Sequence, residues 1–467
     1  MNIKQRDILN ELPLCFPNDK AKNNREQWCK TQFAQRAVKL KAYCEQFGVK
    51  NLVLGMSGGL DSFIVGNLAA ITGIKCTFLM LPYKDQKDIK DAYDAIRVIN
   101  NNNPKTEFCI AEDNIYKAVE EAFKEICTTT EIKNNIIGNT SARMRMLFQY
   151  IEGEINGTPF LVLGTDHATE SVVGYFTKYG DGGTDYNPID GLLKSDLYIM
   201  AKQLNAPQNI LTKAPAAGLG ITDTDEEELG LSYINDIVPF LEGFKIDKEK
   251  TAVILDYYKK TMHKRMTPIS PLNPLKAPKH RTHIIIDCVN DFITGSLACI
   301  HAEKAVQNII NYINEHPNDK VIYIAETHPG NHCSFNEHGG IWPAHAVRGT
   351  DGAELHENFY THVRKITNTP IDHFNVFRKG LDPEQEEYSA INAKNDYWGP
   401  LLDNLSKDEE IVVSGIATEY CVKETVKDLL KEGFNVSIIE DNLGYVNYAD
   451  HKSTLAQWKE NNKIKLK

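Results

Sequence analysis

The chain has no long apolar run, no paired cysteines and no excess of positive charge. No stretch approaches the ~20 apolar residues of a membrane-spanning helix, and the first residues contain no uninterrupted apolar core. Ten cysteines are scattered without a Cys-X-X-Cys pair, a pattern typical of free thiols in a reducing compartment rather than of a disulfide framework. We therefore expect a cytoplasmic protein that is neither secreted nor inserted in a membrane.

The formal net charge is -11 at pH 7. An acidic surface does not attract a nucleic-acid backbone or an anionic membrane, so we expect neither as a partner. Hydrophobic residues make up 42% of the sequence and charged residues 25%, which excludes global disorder. A chain of 467 residues exceeds what one hydrophobic core usually organises, and its length therefore predicts two domains.

Prolines at positions 268, 271, 274 and 278 mark a segment with few apolar side chains, typical of an extended linker. We predict domains at residues 1–267 and 281–467, joined by a linker at 268–280. On both sides, short β-branched runs alternate with amphipathic stretches, which predicts an α/β fold with two doubly wound parallel sheets. Predicted strands cover residues 51–56, 77–81 and 160–163 in the first half, and 283–287, 321–325, 411–414 and 436–439 in the second.

The loop Ser57-Gly58-Gly59-Leu60-Asp61-Ser62 directly follows the first predicted strand and opens a helix. Its glycines let backbone N–H groups approach a phosphate at the helix N-terminus, and its serines add hydroxyl donors. A Gly-Lys-Ser/Thr ending is missing, so this is not the loop of a P-loop enzyme that transfers a γ-phosphate. Taken alone, the loop leaves a plain Gly-Gly turn open as the alternative.

A longer pattern narrows the chemistry. The loop resembles the signature of ATP pyrophosphatases that make adenylates, and the run Gly164-Thr165-Asp166-His167-Ala168-Thr169-Glu170 together with residues 174–185 resembles bacterial NAD synthetase. The resemblance extends over nearly all of residues 30–266 and implies the fold of the ATP pyrophosphatases. It also implies that the carboxylate of deamido-NAD attacks the α-phosphate of ATP, pyrophosphate leaves, and ammonia then displaces AMP.

The same resemblance implies roles for individual residues. Asp61 and Glu170 are hard oxygen ligands suited to Mg²⁺. Positive charge around the phosphates is expected from Lys194, His263 and Lys264. Asp181 and Asp185 are expected near the nicotinate end of the substrate. The other residues predicted to bind ATP or substrate are Ser57, Gly58, Gly59, Ser62, Gln86, Asn139, Arg143, Thr165 and Lys178. A homodimer with sites near the subunit interface is also implied.

One segment departs from the pattern. The family usually has Lys-Ala-Pro-Thr-Ala-Asp-Leu, whereas this chain has Lys213-Ala214-Pro215-Ala216-Ala217-Gly218-Leu219. A hydroxyl and a carboxylate are lost from a loop expected near ATP, which leaves two alternatives open. Nicotinate mononucleotide could replace deamido-NAD as the acceptor, or the first half could be a nucleotide-sensing module that regulates the second. Only about fifty residues precede the glycine loop, too few for a glutaminase domain, so free ammonia is the expected nitrogen source.

In the second half, Cys421 opens a predicted helix (418–432), where the positive helix end is expected to lower the pKa of the thiol. Asp287 ends the first predicted strand of this half, and Lys379 follows another. Asp287, Lys379 and Cys421 together resemble the triad of nicotinamidases in the isochorismatase-like hydrolase superfamily. The resemblance implies that the thiolate attacks the carboxamide of nicotinamide and that water later hydrolyses a thioester. It also implies an oxyanion hole at the N–H groups of Ala417 and Cys421, with a cis bond before Ala417.

A candidate metal site accompanies the triad. Glu326, His328, His332 and His345 supply one carboxylate and three imidazoles, a set suited to Zn²⁺, Fe²⁺ or Mn²⁺. The nicotinamidase pattern normally has aspartate where this chain has Glu326, so we expect retained coordination with altered geometry. The metal would hold the pyridine nitrogen of nicotinamide. Phe292, Trp342 and Tyr388 are predicted to line the pocket around the pyridine ring, although aromatic side chains can equally be plain core residues.

Overall fold

The computed structural model describes residues 4–83, 89–123, 130–214, 224–266 and 281–467. Gln86, Ala216, Gly218 and the predicted linker at 268–280 lie outside these ranges. None of the described helices is both long enough and apolar enough to cross a membrane.

The first half contains a sheet of four parallel strands in the order β3-β2-β1-β4. The strands are β1 (Asn51–Gly55), β2 (Lys75–Met80), β3 (Phe108–Glu112) and β4 (Phe160–Val162). The helices are α1 (Gln5–Glu11), α2 (Arg25–Phe47), α3 (Leu60–Ile71), α4 (Ile89–Asn102), α5 (Tyr116–Phe123), α6 (Thr130–Ile155), α7 (Ala168–Val173), α8 (Lys194–Gln203), α9 (Gln208–Thr212), α10 (Asp225–Leu229), α11 (Val238–Leu241) and α12 (Lys248–Lys260). The three strands predicted for this half are confirmed.

Helices cover both faces of this sheet because the buried strands carry apolar side chains on both sides. Phe78 and Met80 of β2 belong to an apolar cluster with residues of α2, α3, α4 and α8. Leu79, between them, faces the other way and packs with Ile115 and Val119 beside α5 and α6. Neighbouring side chains of β2 therefore pack against helices on opposite faces of the sheet, as a doubly wound fold requires.

The second half contains a sheet of eight strands in the order β12-β11-β10-β5-β6-β7-β8-β9. The strands are β5 (Arg281–Ile286), β6 (Lys320–Glu326), β7 (Val376–Lys379), β8 (Lys394–Asn395), β9 (Gly399–Pro400), β10 (Glu410–Gly415), β11 (Asn435–Leu443) and β12 (Ile464–Leu466). The helices are α13 (Asn290–Ile293), α14 (Ala302–Glu315), α15 (Asn358–Thr361), α16 (Lys423–Lys431) and α17 (Tyr448–Lys459). All neighbouring strands pair in parallel except the short β8 and β9, which pair antiparallel at one edge.

This sheet is also covered on both faces. Ile285 and Tyr323 belong to an apolar cluster that includes the buried side of α14. Their neighbours Ile284 and Ile322 face the opposite side, in a cluster with residues of α16 and α17. The strands predicted at 283–287, 321–325, 411–414 and 436–439 are confirmed and overlap β5, β6, β10 and β11.

Residues 4–19, which we call the N-terminal strap, lie between the two halves. α1 within the strap buries Ile8 and Leu9 completely. These side chains share one apolar cluster with Val173 from α7 of the first half and with Phe374 from the second half. The two sheets are therefore connected by packed side chains as well as by the covalent chain.

Candidate active sites

The glycine loop after β1 has the geometry of an anion-binding turn. Gly58 has a φ of +76°, and a Cβ there would lie 2.5 Å from the backbone nitrogen of Ala92 in α4, so only glycine fits. Gly59 is the N-cap of α3, and its N–H donates to Ser57 Oγ at 3.2 Å. Ser57 Oγ lies 3.1 Å from Ser62 Oγ. Backbone N–H groups and hydroxyls are thus gathered at a helix N-terminus, as the sequence predicted.

A charged cluster stands beside this loop at the carboxyl end of the sheet. Lys194 Nζ lies 3.0 and 2.9 Å from the two carboxylate oxygens of Asp61, 3.3 Å from His167 Nε2 and 3.9 Å from Glu170 Oε1. His167 Nε2 lies 3.3 Å from Glu170 Oε1 and 3.7 Å from Asp61 Oδ1. Asp61, His167 and Glu170 are close enough to share one metal ion.

Asp61 and Lys194 in this cluster favour each other's charged form. Burial alone would raise the pKa of Asp61, but Lys194 and then His167 hold it below its ordinary value. Burial opposes the charge on Lys194, yet Asp61 and Glu170 raise its pKa above the ordinary value. The cluster is therefore a preformed set of one fixed cation and carboxylate ligands, which suits the binding of a polyphosphate with its metal.

A cavity of about 510 Å³ opens beside the loop and the cluster. The predicted residues that line it are Ser57, Gly59, Asp61, Asn139, Thr165, Glu170, Asp181, Lys194 and Lys264. Its wall also contains Asp166, whose pKa is raised well above its ordinary value by burial and by the nearby Asp181 and Glu170. Burial likewise raises the pKa of Asp181, although its carboxylate accepts the N–H of Thr177.

Several predicted residues lie outside the cavity wall. Asp185 accepts hydrogen bonds from Tyr150 and from the backbone N–H of Val162, so it anchors the end of β4. Lys178 Nζ donates to the carbonyls of His263 and Met266. Gly58 and Ser62 lie within the loop, while Arg143 and His263 are exposed.

Sequence reasoning did not assign His167 or Asp166 a role, although both stand inside the Gly164–Glu170 motif. Lys213 also lines the cavity and is paired with Asp91 of α4 at 3.1 Å. Each of these three residues is titratable and stands in a motif that the sequence analysis discusses, so the sequence offered a reason to consider it. Only the fold shows that these side chains face the cavity.

The second candidate site lies where four adjacent strands of the larger sheet end. Asp287 follows β5, Glu326 ends β6, Lys379 ends β7, and Cys421 follows β10. The parallel register places Glu326 directly opposite Lys379. Functional groups collect at such carboxyl ends because loops leave the sheet there.

The predicted triad is assembled and buried. Lys379 Nζ lies 3.0 Å from Asp287 Oδ2, 3.6 Å from Cys421 Sγ and 2.6 Å from Glu326 Oε1. Lys379 is only 1% exposed, and Asp287 is not exposed at all. One lysine thus balances two carboxylates and a thiol in a site closed to bulk water.

The ionisation of this group follows from burial. Burial raises the pKa of Asp287 to about 7, with Lys379 opposing the shift and Glu326 adding to it. Burial also raises the pKa of the Cys421 thiol well above its ordinary value, against the influence of Lys379. The expected lowering of the thiol pKa is therefore wrong for this structure. Cys421 lies in a buried π-helical turn, Thr418–Val422, where desolvation and carboxylates outweigh the helix end.

Three of the four predicted metal ligands converge. Glu326, His328 and His345 offer ligand atoms close enough for one ion. The Nδ1 atoms of His328 and His345 are hydrogen-bonded to the carbonyls of Gly380 and Pro343, which directs their Nε2 atoms inward. His328 Nε2 is buried and has no hydrogen-bond partner among the described residues. A buried imidazole with an orphaned nitrogen beside a carboxylate fits a transition-metal ion.

The fourth predicted ligand, His332, stacks on His328 with ring centroids 3.8 Å apart. Its Nδ1 lies 2.7 Å from Ser334 Oγ, and its Nε2 lies 3.1 Å from the carbonyl oxygen of Gln385. Both ring nitrogens are therefore engaged by the protein, and its predicted role as a ligand stays a prediction.

A small cavity of about 30 Å³ adjoins Cys421 and the metal-ligand group. Phe292, Trp342 and Tyr388 all line it, as predicted for the aromatic wall. Trp342 Nε1 donates to the hydroxyl of Tyr388 at 3.2 Å, which ties two of these rings together. The expected cis peptide bond is present between Ile416 and Ala417, at the rim of the same cavity.

Comparisons with known proteins divide the chain in the same way. The NAD synthase family model matches residues 33–268, and the isochorismatase domain model matches residues 281–464. The NH(3)-dependent NAD(+) synthetase of Bacillus licheniformis is 38% identical over 253 residues, which cover 52% of this chain and 90% of that relative.

Two solved structures resemble one half each. The NMN synthetase from Francisella tularensis is 33% identical with a TM-score of 0.47, covering 52% of this chain and 98% of that one. The pyrazinamidase of Pyrococcus horikoshii in complex with zinc is 28% identical with a TM-score of 0.34, covering 41% of this chain and 99% of that one.

A glycine loop with a charged cluster on one sheet, and a Cys–Lys–Asp triad on another, define an enzyme that joins a ligase to an amide hydrolase. The chain belongs to the NAD synthase family, and its second half matches the isochorismatase domain model.

Proposed function

We propose that the first domain amidates deamido-NAD with ammonia at the cost of ATP, and that the second hydrolyses nicotinamide to nicotinate and ammonia. The contact that supports the ligase assignment best is the Lys194–Asp61–Glu170 cluster at the glycine loop. Lys379 between Asp287 and Cys421 supports the hydrolase assignment. We further propose that the domains span residues 1–267 and 281–467, with a linker between them.

In the ligase reaction, the substrate carboxylate attacks the α-phosphorus of ATP and displaces pyrophosphate, and ammonia then attacks the acyl carbon and displaces AMP. The loop of Ser57 and Gly59 would hold departing phosphate oxygens through hydroxyl and N–H donors. Lys194 would place its fixed positive charge against the same oxygens. Asp61 and Glu170 would hold Mg²⁺, which supplies charge neutralisation for pyrophosphate when bound.

In the hydrolase reaction, Asp287 would accept the thiol proton of Cys421, a transfer favoured by its pKa near 7. The thiolate then attacks the amide carbon, ammonia leaves with a proton returned by Asp287, and water hydrolyses the thioester. Lys379 would stabilise the negative charge as it moves from sulfur to oxygen. Glu326, His328 and His345 would hold a Zn²⁺, Fe²⁺ or Mn²⁺ ion that binds the pyridine nitrogen and orients the ring.

We also propose a homodimer built on the β4 edge of the smaller sheet. α6 exposes the apolar residues Leu147, Ile151 and Ile155 at a spacing of four, which places them on one face. On the other side of the same edge, Phe47 of α2 is 57% exposed. Clustered exposed apolar side chains on the helices that flank β4 fit a second copy of this chain. Arg143 continues the α6 row and would meet the partner subunit.

A second acceptor is favoured by the altered loop at residues 213–219. This loop, which is expected near ATP, has lost a hydroxyl and a carboxylate that an acceptor could contact. Nicotinate mononucleotide is therefore the alternative substrate of the ligase. The nucleotide-sensing alternative predicts that the first domain binds a nucleotide without releasing pyrophosphate.

The deciding experiment measures two products from the purified full chain. Pyrophosphate release is followed with ATP, Mg²⁺ and ammonium, offering deamido-NAD and nicotinate mononucleotide separately, while nicotinate formation is followed from nicotinamide. Cys421→Ala should abolish only nicotinate formation, and Lys194→Met should abolish only pyrophosphate release. No pyrophosphate release with either acceptor would overturn the ligase proposal, and the faster acceptor names the substrate.

A further inference from the structure

Arg6 of the N-terminal strap reaches across to the second domain. Its Nη1 donates to Asn404 Oδ1 at 3.0 Å, and its Nη2 donates to the carbonyl oxygen of Phe374 at 3.3 Å. The guanidinium carbon lies 5.4 Å from the ring centroid of Phe374 and 5.8 Å from that of Trp398. A guanidinium held by carbonyl and amide oxygens among aromatic rings is typical of an interface anchor.

Further contacts to the second domain follow along the strap. The Asp7 carboxylate lies 2.9 Å from Lys320 Nζ. Other polar contacts join the carbonyl of Asn10 to Lys365 Nζ, Asn18 Nδ2 to the carbonyl of Tyr360 at 2.8 Å, and the Asp19 carboxylate to the N–H of Asp372 at 2.7 Å. These contacts extend from residue 6 to residue 19, so the strap contacts the second domain along nearly its whole length.

The opposite side of the strap is fixed to the first domain. Gln5 Nε2 donates to the carbonyls of Phe240 and Phe244 at 2.7 and 3.0 Å. Glu11 accepts the hydroxyl of Tyr258 at 2.6 Å, and the N–H of Cys15 donates to the carbonyl of Gly191 at 2.8 Å. The strap therefore belongs to the ligase domain and presents one surface to the hydrolase domain.

A smaller contact lies beside the strap. The ring of Phe244 stacks on His373 with centroids 3.6 Å apart, and His373 Nε2 lies 2.8 Å from the carbonyl oxygen of Glu242. The segment 242–244 thus extends the same interface, and the strap provides most of its polar contacts.

We propose that the N-terminal strap is the docking element that binds the hydrolase domain to the ligase domain, so that their association does not depend on the linker. The partner it fits is the surface formed by Lys320 and residues 360–374 and 398–404 of the same chain. This inference goes beyond the proposed activities and does not rest on them, because neither substrate takes part in the contact.

The test is to cut the full chain between its domains. A site for a sequence-specific protease is inserted in the predicted linker between residues 272 and 273, and the purified protein is cleaved and applied to a size-exclusion column. We expect the two fragments of the otherwise unchanged protein to co-elute. The double variant Arg6→Ala/Asp7→Ala should weaken their association by at least about tenfold, the loss typical of a central interface arginine.

A matched control is Arg97→Ala, which removes an exposed arginine of α4 that pairs with Asp94 of the same helix. Its cleaved fragments should co-elute like those of the parent protein. Circular dichroism of each uncut variant checks that it is folded, and Asn404→Ala repeats the test from the hydrolase side. Separation of the parent fragments would overturn the proposal. If the fragments of both the strap variant and the Asn404 variant still co-elute, the docking is assigned to residues 242–244, and the proposal for the strap is likewise overturned.

Discussion

At the scale of single residues, both sites depend on a buried lysine that holds carboxylates at short range. Lys194 and Lys379 each contact two acidic side chains. Buried charges of this kind are costly unless each one is paired, so removal of one partner leaves another unbalanced. The two lysines therefore position the acidic groups as much as they carry charge themselves.

Asp287→Asn should lower the rate of nicotinamide hydrolysis by about 100- to 10,000-fold, because the amide cannot accept the thiol proton. Pyrophosphate release by the ligase domain should stay unchanged. Asp382→Asn, at an exposed position nearby, is the control and should keep both activities. Equal hydrolysis by the Asp287 variant and the parent would contradict the assignment of the base.

His328→Ala should lose bound metal, because it removes a predicted ligand whose Nε2 lies 3.5 Å from Glu326 Oε1 and has no hydrogen-bond partner among the described residues. The measurement is metal content by plasma mass spectrometry after gel filtration. His338→Ala changes an exposed histidine ten positions further on and should leave the metal content as in the parent protein. Retained metal in the His328 variant would show that the ligand set is different.

At the scale of elements, the strands that were predictable are the continuous apolar runs, such as residues 51–56 and 411–414. A buried parallel strand must be apolar on both faces, which makes it visible in the sequence. β3 was missed because Phe108–Glu112 is partly exposed and its run is mixed. β8 and β9 have two residues each and no pattern of their own, and they form because Lys394 pairs with Arg378 of β7.

Two glycines offer a matched test of the loop after β1. Gly58 and Gly73 have nearly equal φ values of +76° and +77°, so alanine at either position costs about 1–2 kcal/mol of backbone strain. At Gly58 the new Cβ would also lie 2.5 Å from the backbone of α4, whereas at Gly73 no atom lies within 4 Å.

Gly58→Ala should therefore lower the midpoint of thermal unfolding more than Gly73→Ala and should abolish pyrophosphate release. Gly73→Ala should keep that activity. Thermal scans and the pyrophosphate assay on both variants provide the comparison. Equal behaviour of the two would mean that the close approach of α4 to the loop does not matter.

At the scale of the whole molecule, the sequence indicated two domains and most of both sites but none of the contacts between the halves. Asp61, Lys194, Asp287 and Cys421 were found because each stands in a local motif. The strap was not found, because the partners of Arg6 lie more than 360 residues away in the sequence and no local pattern indicates them. His167 stood inside a recognised motif, yet its position among Asp61, Glu170 and Lys194 depends on how α7 meets α8.

The proposed dimer gives a prediction at the same scale. Ile151→Asp places a charge in the centre of the exposed α6 row and should convert a dimer of 52.7 kDa chains into monomers. Sedimentation equilibrium measures the mass, with Ile341→Asp as the control because that residue is 74% exposed in the other half. An unchanged mass for the Ile151 variant would locate the subunit contact elsewhere.

The strap also constrains how the chain is made. Residues 4–19 are synthesised well before their partners, Lys320 and the segments within residues 360–404. During that interval, which lasts tens of seconds at ordinary elongation rates, the strap surface that will meet Phe374 and Asn404 has no native partner. A nascent ligase domain thus carries an uncovered apolar surface, and that surface is where a chaperone would act on this fused enzyme.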